Sequence, residues 1–172
     1  MGASPSKPPQ ITIHAADADV PIIPPVVLLV LLLVSALLAK FVNRFRFLPA
    51  EIAGLKTRLA LFTALFSASI YAHMEAMDAL HSAGSGIAFT PTASIATNGP
   101  YAYTRNPFYC LLIFVQLPSL ALAFDCGWIM FAVAPMFVWL SKVVIPGEEA
   151  FLSRNFGTAY TAFLDTTPRW LL

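Results

Sequence analysis

The chain has 172 residues, of which 58% are hydrophobic and 11% charged, with a formal net charge of +1. Soluble domains are about 45–50% apolar and about 25% charged, so this composition describes an integral membrane protein with little room for a separate soluble domain. The net charge says nothing about nucleic acid, and no basic run is long enough to suggest it, so none is expected as a partner.

Residues 1–22 are polar, Pro-containing and aperiodic, and are expected to form a flexible tail. Met1-Gly2 with Ser6 fits the minimal myristoylation pattern. Charged residues precede the first apolar run and no small-residue cleavage site follows it, which favours a retained span over a cleaved signal peptide. Residues 23–172 are expected to form one transmembrane domain.

Four spans follow from hydropathy: Val26 to Val42 after Pro21-Ile22-Ile23-Pro24-Pro25, Leu59 to Met77, Tyr109 to Phe124, and Gly127 to Ile145. Each approaches the ~20 residues needed to cross a bilayer. Asp125-Cys126-Gly127 reads as a tight turn, making the last two spans a helical hairpin. Pro118 and Pro135 lie inside these spans and each removes a backbone donor, which membrane helices tolerate when neighbours satisfy the freed carbonyl. Cys110 and Cys126 fall at opposite ends of one span, roughly 24 Å apart along a helix, so two free thiols are expected. The segment Phe151 to Leu164 places Leu152, Phe156, Tyr160 and Phe163 along one face and is expected to form an amphipathic helix at the membrane interface. The fold class is therefore all-α, with about four transmembrane helices and a C-terminal interfacial helix.

Charge does not settle orientation. Lys40, Arg44, Arg46, Lys56 and Arg58 flank the first loop, against Lys7, Arg105, Lys142, Arg154 and Arg169 on the other side, five against five. His73, Met77 and His81 share a helical face at the end of the second span, but seven residues between two histidines is not a usual ligand spacing, and no metal site is expected.

The informative residues lie at one end of the hairpin. With four spans, Arg105 just before the third and Glu148-Glu149 just after the fourth emerge on the same side. Asn106 is suited to cap the third helix, with Pro107 at its first position. The helix N-terminus and Arg105 favour a carboxylate, Glu148 and Glu149 an ammonium group or sugar hydroxyls, and Tyr101, Tyr103 and Tyr109 a base or a cation. Taken singly, the tyrosines also fit an interfacial belt, Arg105 a snorkelling anchor and the two glutamates a helix first turn. Together they suit a zwitterionic ligand.

Two motifs carry a resemblance. Ser94-Ile95-Ala96-Thr97-Asn98-Gly99-Pro100-Tyr101 with Thr104-Arg105-Asn106-Pro107-Phe108-Tyr109, and Glu148-Glu149-Ala150-Phe151-Leu152 with Phe156-Gly157-Thr158-Ala159-Tyr160 and Pro168-Arg169-Trp170, resemble the signatures of the isoprenylcysteine carboxyl methyltransferase and phospholipid methyltransferase group. The resemblance implies methyl transfer from S-adenosylmethionine to a lipophilic or lipid-anchored acceptor at the cytosolic interface of an endomembrane or bacterial inner membrane. Its cofactor-binding half is about 89–172. The implied cofactor-binding residues are Ser94, Ile95, Ala96, Gly99, Tyr101, Arg105, Asn106, Pro107, Phe108, Tyr109, Glu148 and Glu149. Arg105 and Glu149 are the expected catalytic residues, Glu149 as a base for an amine acceptor; a carboxylate acceptor needs none. Many relatives have His at Asn106, the prenylcysteine enzymes have Arg at Val144, and a second Tyr is replaced by Phe163. These departures leave the cofactor positions intact and count against prenylcysteine as acceptor. A nicotinamide-dependent sterol-type reductase and a non-catalytic membrane scaffold are the alternatives.

Overall fold

A computed structural model describes residues 24–43, 45–48, 54–84 and 94–171. The expected tail and the myristoylation pattern lie outside the described residues. Among the described residues the fold is all-α, with four helices long and apolar enough to span a membrane.

Helix α1 (Pro24–Phe41) opens on Pro24-Pro25 and is Val/Leu-rich; Ser35 is its one buried residue, and its Oγ donates to Leu31 O at 2.8 Å and Trp128 O at 3.2 Å. Large exposed apolar side chains such as Leu29, Leu33 and Leu37 cover the rest, as a lipid-facing helix requires. Helix α2 (Leu55–Ser82) has 28 residues, about 42 Å at ~1.5 Å per residue, and so outruns a ~30 Å hydrocarbon core. It ends at Gly84, whose φ of 80° only glycine adopts without strain.

Helices α3 (Pro107–Phe124) and α4 (Trp128–Phe156) form the expected hairpin. Asp125 turns the chain in the left-handed region (φ 50°), with Cys126 N donating to Ala121 O at 3.0 Å. Helix α1 packs along α4 and α2 along α3, so the hairpin lies between the first two helices. A buried column of Ile113, Leu117, Ala121, Ile129, Met136, Leu140, Val144 and Ile145 forms its core. Both cysteines are free; Cys110 is buried and Cys126 partly so.

Two features depart from expectation. The fourth helix does not stop at Ile145 before Pro146-Gly147 but runs on to Phe156. A π-helical turn at Leu140–Val144 makes this possible, as one at Leu112–Gln116 does in α3. Each π-turn contains the residue four before a proline, Lys142 before Pro146 and Phe114 before Pro118. A proline ring clashes with that carbonyl in a regular α-helix, and a π-turn moves the carbonyl aside. The C-terminal amphipathic helix is also not continuous: Gly157 (φ 53°) breaks it, and α5 (Thr158–Thr166) follows.

At the end of the bundle where α1, α2 and the hairpin turn meet, Gly127 N donates to Phe45 O at 2.8 Å, Trp128 Nε1 to Asn43 O at 3.0 Å and Arg46 Nε to Asp125 at 2.9 Å. Burial alone would raise the Asp125 carboxyl, but its hydrogen bond from Arg46 and the charges of Arg58 and Arg46 hold it below the ordinary aspartate range. A carboxyl lowered on folding stabilises the fold fully above its unfolded value of about 3.9 and loses that contribution as pH falls through the folded value. Thermal unfolding in detergent should therefore show a steeper loss of midpoint below about pH 4 for the wild type than for Asp125→Asn, which starts lower at neutral pH; parallel curves would exclude the clasp.

Candidate functional site

The site forms at the opposite end of the hairpin. A 3₁₀ turn at Gly99–Ala102 leads into the loop Tyr103–Asn106 and then α3. Gly99 (φ 56°) makes the turn and packs near Ala79, aiming the buried Tyr101 inward. Ser94 fixes the start of this segment to the end of α2, its N and Oγ donating to Ala83 O at 3.1 and 2.8 Å.

Asn106 takes the N-cap position of α3 with Pro107 following, as expected, but its side chain makes no cap. Asn106 Nδ2 instead donates to Arg169 O at 3.0 Å, beside Thr104 Oγ1 at 2.9 Å, and Arg105 N donates to Pro168 O at 2.9 Å. The C-terminal strap Pro168-Arg169 is thus stapled to the loop before α3 by three hydrogen bonds.

On α4, Glu148 and Glu149 follow the buried Val144 and Ile145 by four residues, which carries both carboxylates onto the inner face. They meet different partners. Glu149 lies between two guanidinium groups: Arg105 Nη2 is 3.3 Å from Oε1, Arg169 Nε donates to Oε1 at 3.1 Å, and Arg169 Nη2 donates to Oε2. Arg169 also donates to Ser141 O at 3.4 Å. Glu148 accepts a hydrogen bond from Tyr109 Oη at 2.6 Å and has no ion-pair partner among the described residues. Arg105 Nε is buried without a hydrogen-bond partner among them.

These groups line one cavity of 320 Å³, within the volume range of small-molecule sites. Of the twelve residues expected at the cofactor, eleven line it: Ser94, Ile95 and Ala96 on one side, Tyr101 and Arg105 to Tyr109 on another, and Glu148 and Glu149 on α4. Gly99 does not, because it is used in the turn; with Tyr103, which is 71% exposed, it borders a separate groove. Leu80, Leu152, Phe156, Tyr160 and Phe163 complete the wall. Four of these form the apolar face read from the sequence as packing, and packing is half of what they do. Tyr160 and Phe163 bury against Ala76, Ala79, Ala96 and Tyr101, so α5 closes the cavity over the end of α2. Arg169 was legible only as part of a C-terminal motif; its pairing with Glu149 joins segments that no local pattern relates.

The electrostatics suit a polar ligand. Burial, then the Glu148 charge, raises the Tyr101 hydroxyl well above its ordinary range, so it remains a donor. Burial and the Glu149 charge push Tyr160 up to about 12. His73 Nδ1 is 3.1 Å from Ser69 O and its ring lies 5.1 Å from that of Phe108, which makes it a support for that wall.

The sequence model of the Phospholipid methyltransferase family matches residues 57–159, from the first turn of α2 into α5. No curated protein and no solved structure gives a significant match.

Removing the strap's cation should weaken this end of the molecule. Arg169→Ala should cost about 1.5–3 kcal/mol, the scale of hydrogen bonds to a charged group, read as a lower unfolding midpoint in detergent. Lys142→Ala, at an exposed cation in the π-turn of α4, should be near neutral. Equal effects would show that the Glu149 cluster does not hold the strap.

Proposed function

From the premise that the chain belongs to the phospholipid methyltransferase family of membrane methyltransferases, we propose that it moves a methyl group from S-adenosylmethionine to a lipophilic acceptor at the cytosolic membrane interface. The observation that carries this reading is one cavity that holds a carboxylate with no ion-pair partner and a guanidinium nitrogen with no hydrogen-bond partner among the described residues, together with a wall of aromatic side chains. An amino acid joined to a nucleoside needs that set. S-adenosylmethionine, when bound, supplies an electrophilic methyl group on a sulfonium centre.

The residue roles follow from the donor set. Arg105 Nε and the first amides of α3 offer donors to a carboxylate. With Tyr109 donating to Oε1 of Glu148, the other oxygen can accept from a sugar hydroxyl, which leaves the carboxylate without a cation. Tyr101, Phe108 and Phe156 supply faces for a base and a cation. Tyr160 and Phe163 exclude water, which strengthens each of these interactions. In-line transfer asks mainly for such positioning.

The base role expected for Glu149 passes to Glu148 in this reading. Both Glu149 oxygens face guanidinium nitrogens, so Glu149 orients Arg105, whereas Glu148 has no cation against it. A carboxylate acceptor requires no proton transfer; an amine acceptor would give its proton to Glu148. The lipophilic acceptor is supported by Pro107, which lines both this cavity and a groove of 410 Å³ bordered by Tyr71, Phe114 and Leu171. One residue thus separates the site from a strongly apolar surface.

Calorimetric titration of the detergent-purified protein should give roughly micromolar binding of S-adenosylmethionine and S-adenosylhomocysteine, and none of reduced nicotinamide dinucleotide phosphate. Glu148→Gln should weaken the first two at least about tenfold, the equivalent of one lost charged hydrogen bond. Binding of the nicotinamide instead, or of neither ligand by a folded sample, would overturn the proposal. Labelled donor with a lipid extract then identifies the acceptor.

A further inference from the structure

The far end of the bundle carries a second polar cluster that methyl transfer does not use. Asp125, buried in the hairpin turn, lies 2.9 Å from Arg46 Nε and 3.2 Å from Arg58 Nη1. One carboxylate does not neutralise two guanidinium groups, and Lys40 at the end of α1 adds a third cation. Arg58 is the informative member. Its side chain is only 12% exposed; its Nη1 is ion-paired to Asp125, but its Nε has no hydrogen-bond partner among the described residues, and neither has Oδ1 of Asp125. A buried charged donor without an acceptor is costly, and an anion would relieve that cost.

Space for one is present. Arg46, Arg58 and Asp125 line a cavity of 420 Å³ with Leu55, Ala123 and Phe124. Phe124 and Asp125 also line a groove of 550 Å³, whose other walls include Leu32 and Ala36 of α1 and Leu120 and Ile129 of the hairpin, with Lys40 among its lining. A cationic cavity therefore adjoins an apolar groove that runs beside α1, at the level where the spans end.

We propose that this pair of cavities binds an anionic phospholipid: the headgroup phosphate against Arg58, Arg46 and Lys40, and an acyl chain in the groove between α1 and the hairpin. Charge complementarity selects the head, and the length of apolar wall selects a chain-bearing ligand over a free ion. A zwitterionic lipid presents its own cation to a site that already holds Arg46, Arg58 and Lys40. Because α1 has few buried contacts of its own, a lipid seated here would also tie it to the hairpin.

The test is a thermal-shift titration of the full chain in detergent with phosphatidylglycerol, phosphatidylcholine of the same acyl chains, and inorganic phosphate. Phosphatidylglycerol should raise the unfolding midpoint saturably, phosphatidylcholine should need at least about fivefold more lipid, and inorganic phosphate should do little. Arg58→Gln should weaken the phosphatidylglycerol response roughly fivefold, as expected for one interfacial cation. Lys40→Gln, at an exposed position, repeats the charge test should Arg58→Gln fold poorly. Ala36→Phe fills the groove without changing charge and should weaken it as well. Equal responses to both lipids would reduce the effect to general solvation. A full response to phosphate alone would leave only an ion site, and wild-type behaviour of Lys40→Gln and Ala36→Phe would overturn the assignment altogether.

Discussion

The carboxylate of Glu149 is the constraint on which the site end of this protein depends. It draws together Arg105 from the loop before α3, its own helix α4, and Arg169 from the C-terminal strap. These segments are separated by 44 and 20 residues along the chain (149 − 105 and 169 − 149). Arg105 and Glu149 are largely withdrawn from water. A charge so placed is tolerated only when paired and hydrogen-bonded, so each depends on the other, while the half-exposed Arg169 completes the pairing. Once the triad is made, the backbone of Arg169 lies where Thr104 and Asn106 reach it, and the loop that carries the cavity wall is fixed.

The other end repeats the device. Asp125 sits between Arg46 and Arg58 as Glu149 sits between Arg105 and Arg169. The α3–α4 hairpin is thus held at both ends by a carboxylate with two arginines, while its middle is apolar and tightly buried. The two clusters differ in one respect: the Glu149 triad stands next to a second carboxylate, Glu148, whereas the Asp125 cluster is cationic. One end is therefore suited to a ligand carrying both charges and the other to an anion.

Helix irregularity connects packing to function. Prolines at 118 and 146 would distort regular helices, and the π-turns before them absorb the conflict within the helix. Helix α4 continues to Phe156 as a result, carrying Glu148 and Glu149 on the same face as Val144 and Ile145. Had the helix ended at Pro146, the two carboxylates would have lain at a loose terminus. Gly157 then supplies the break that lets α5 fold back and close the cavity with Tyr160 and Phe163.

The sequence by itself determined the four spans, the hairpin and its turn at Asp125, and which residues could meet at one end. Apolar run length, turn chemistry and the parity of membrane crossings are local properties, or simple counts of them. Eleven of the twelve expected cofactor residues share a cavity because two short motifs at the ends of adjacent spans must meet once the spans are antiparallel. Tertiary structure alone decided how those residues divide the work. Arg105 faces Glu149 and Tyr109 faces Glu148, a choice between adjacent carboxylates that depends on helix phase after a π-turn. Asn106 caps nothing because the strap offers Arg169 O within reach, and Tyr103 points outward while Tyr101, two residues earlier, is buried. Pairings of this kind depend on which groups packing brings within a few ångströms, and no spacing along a single segment encodes that distance.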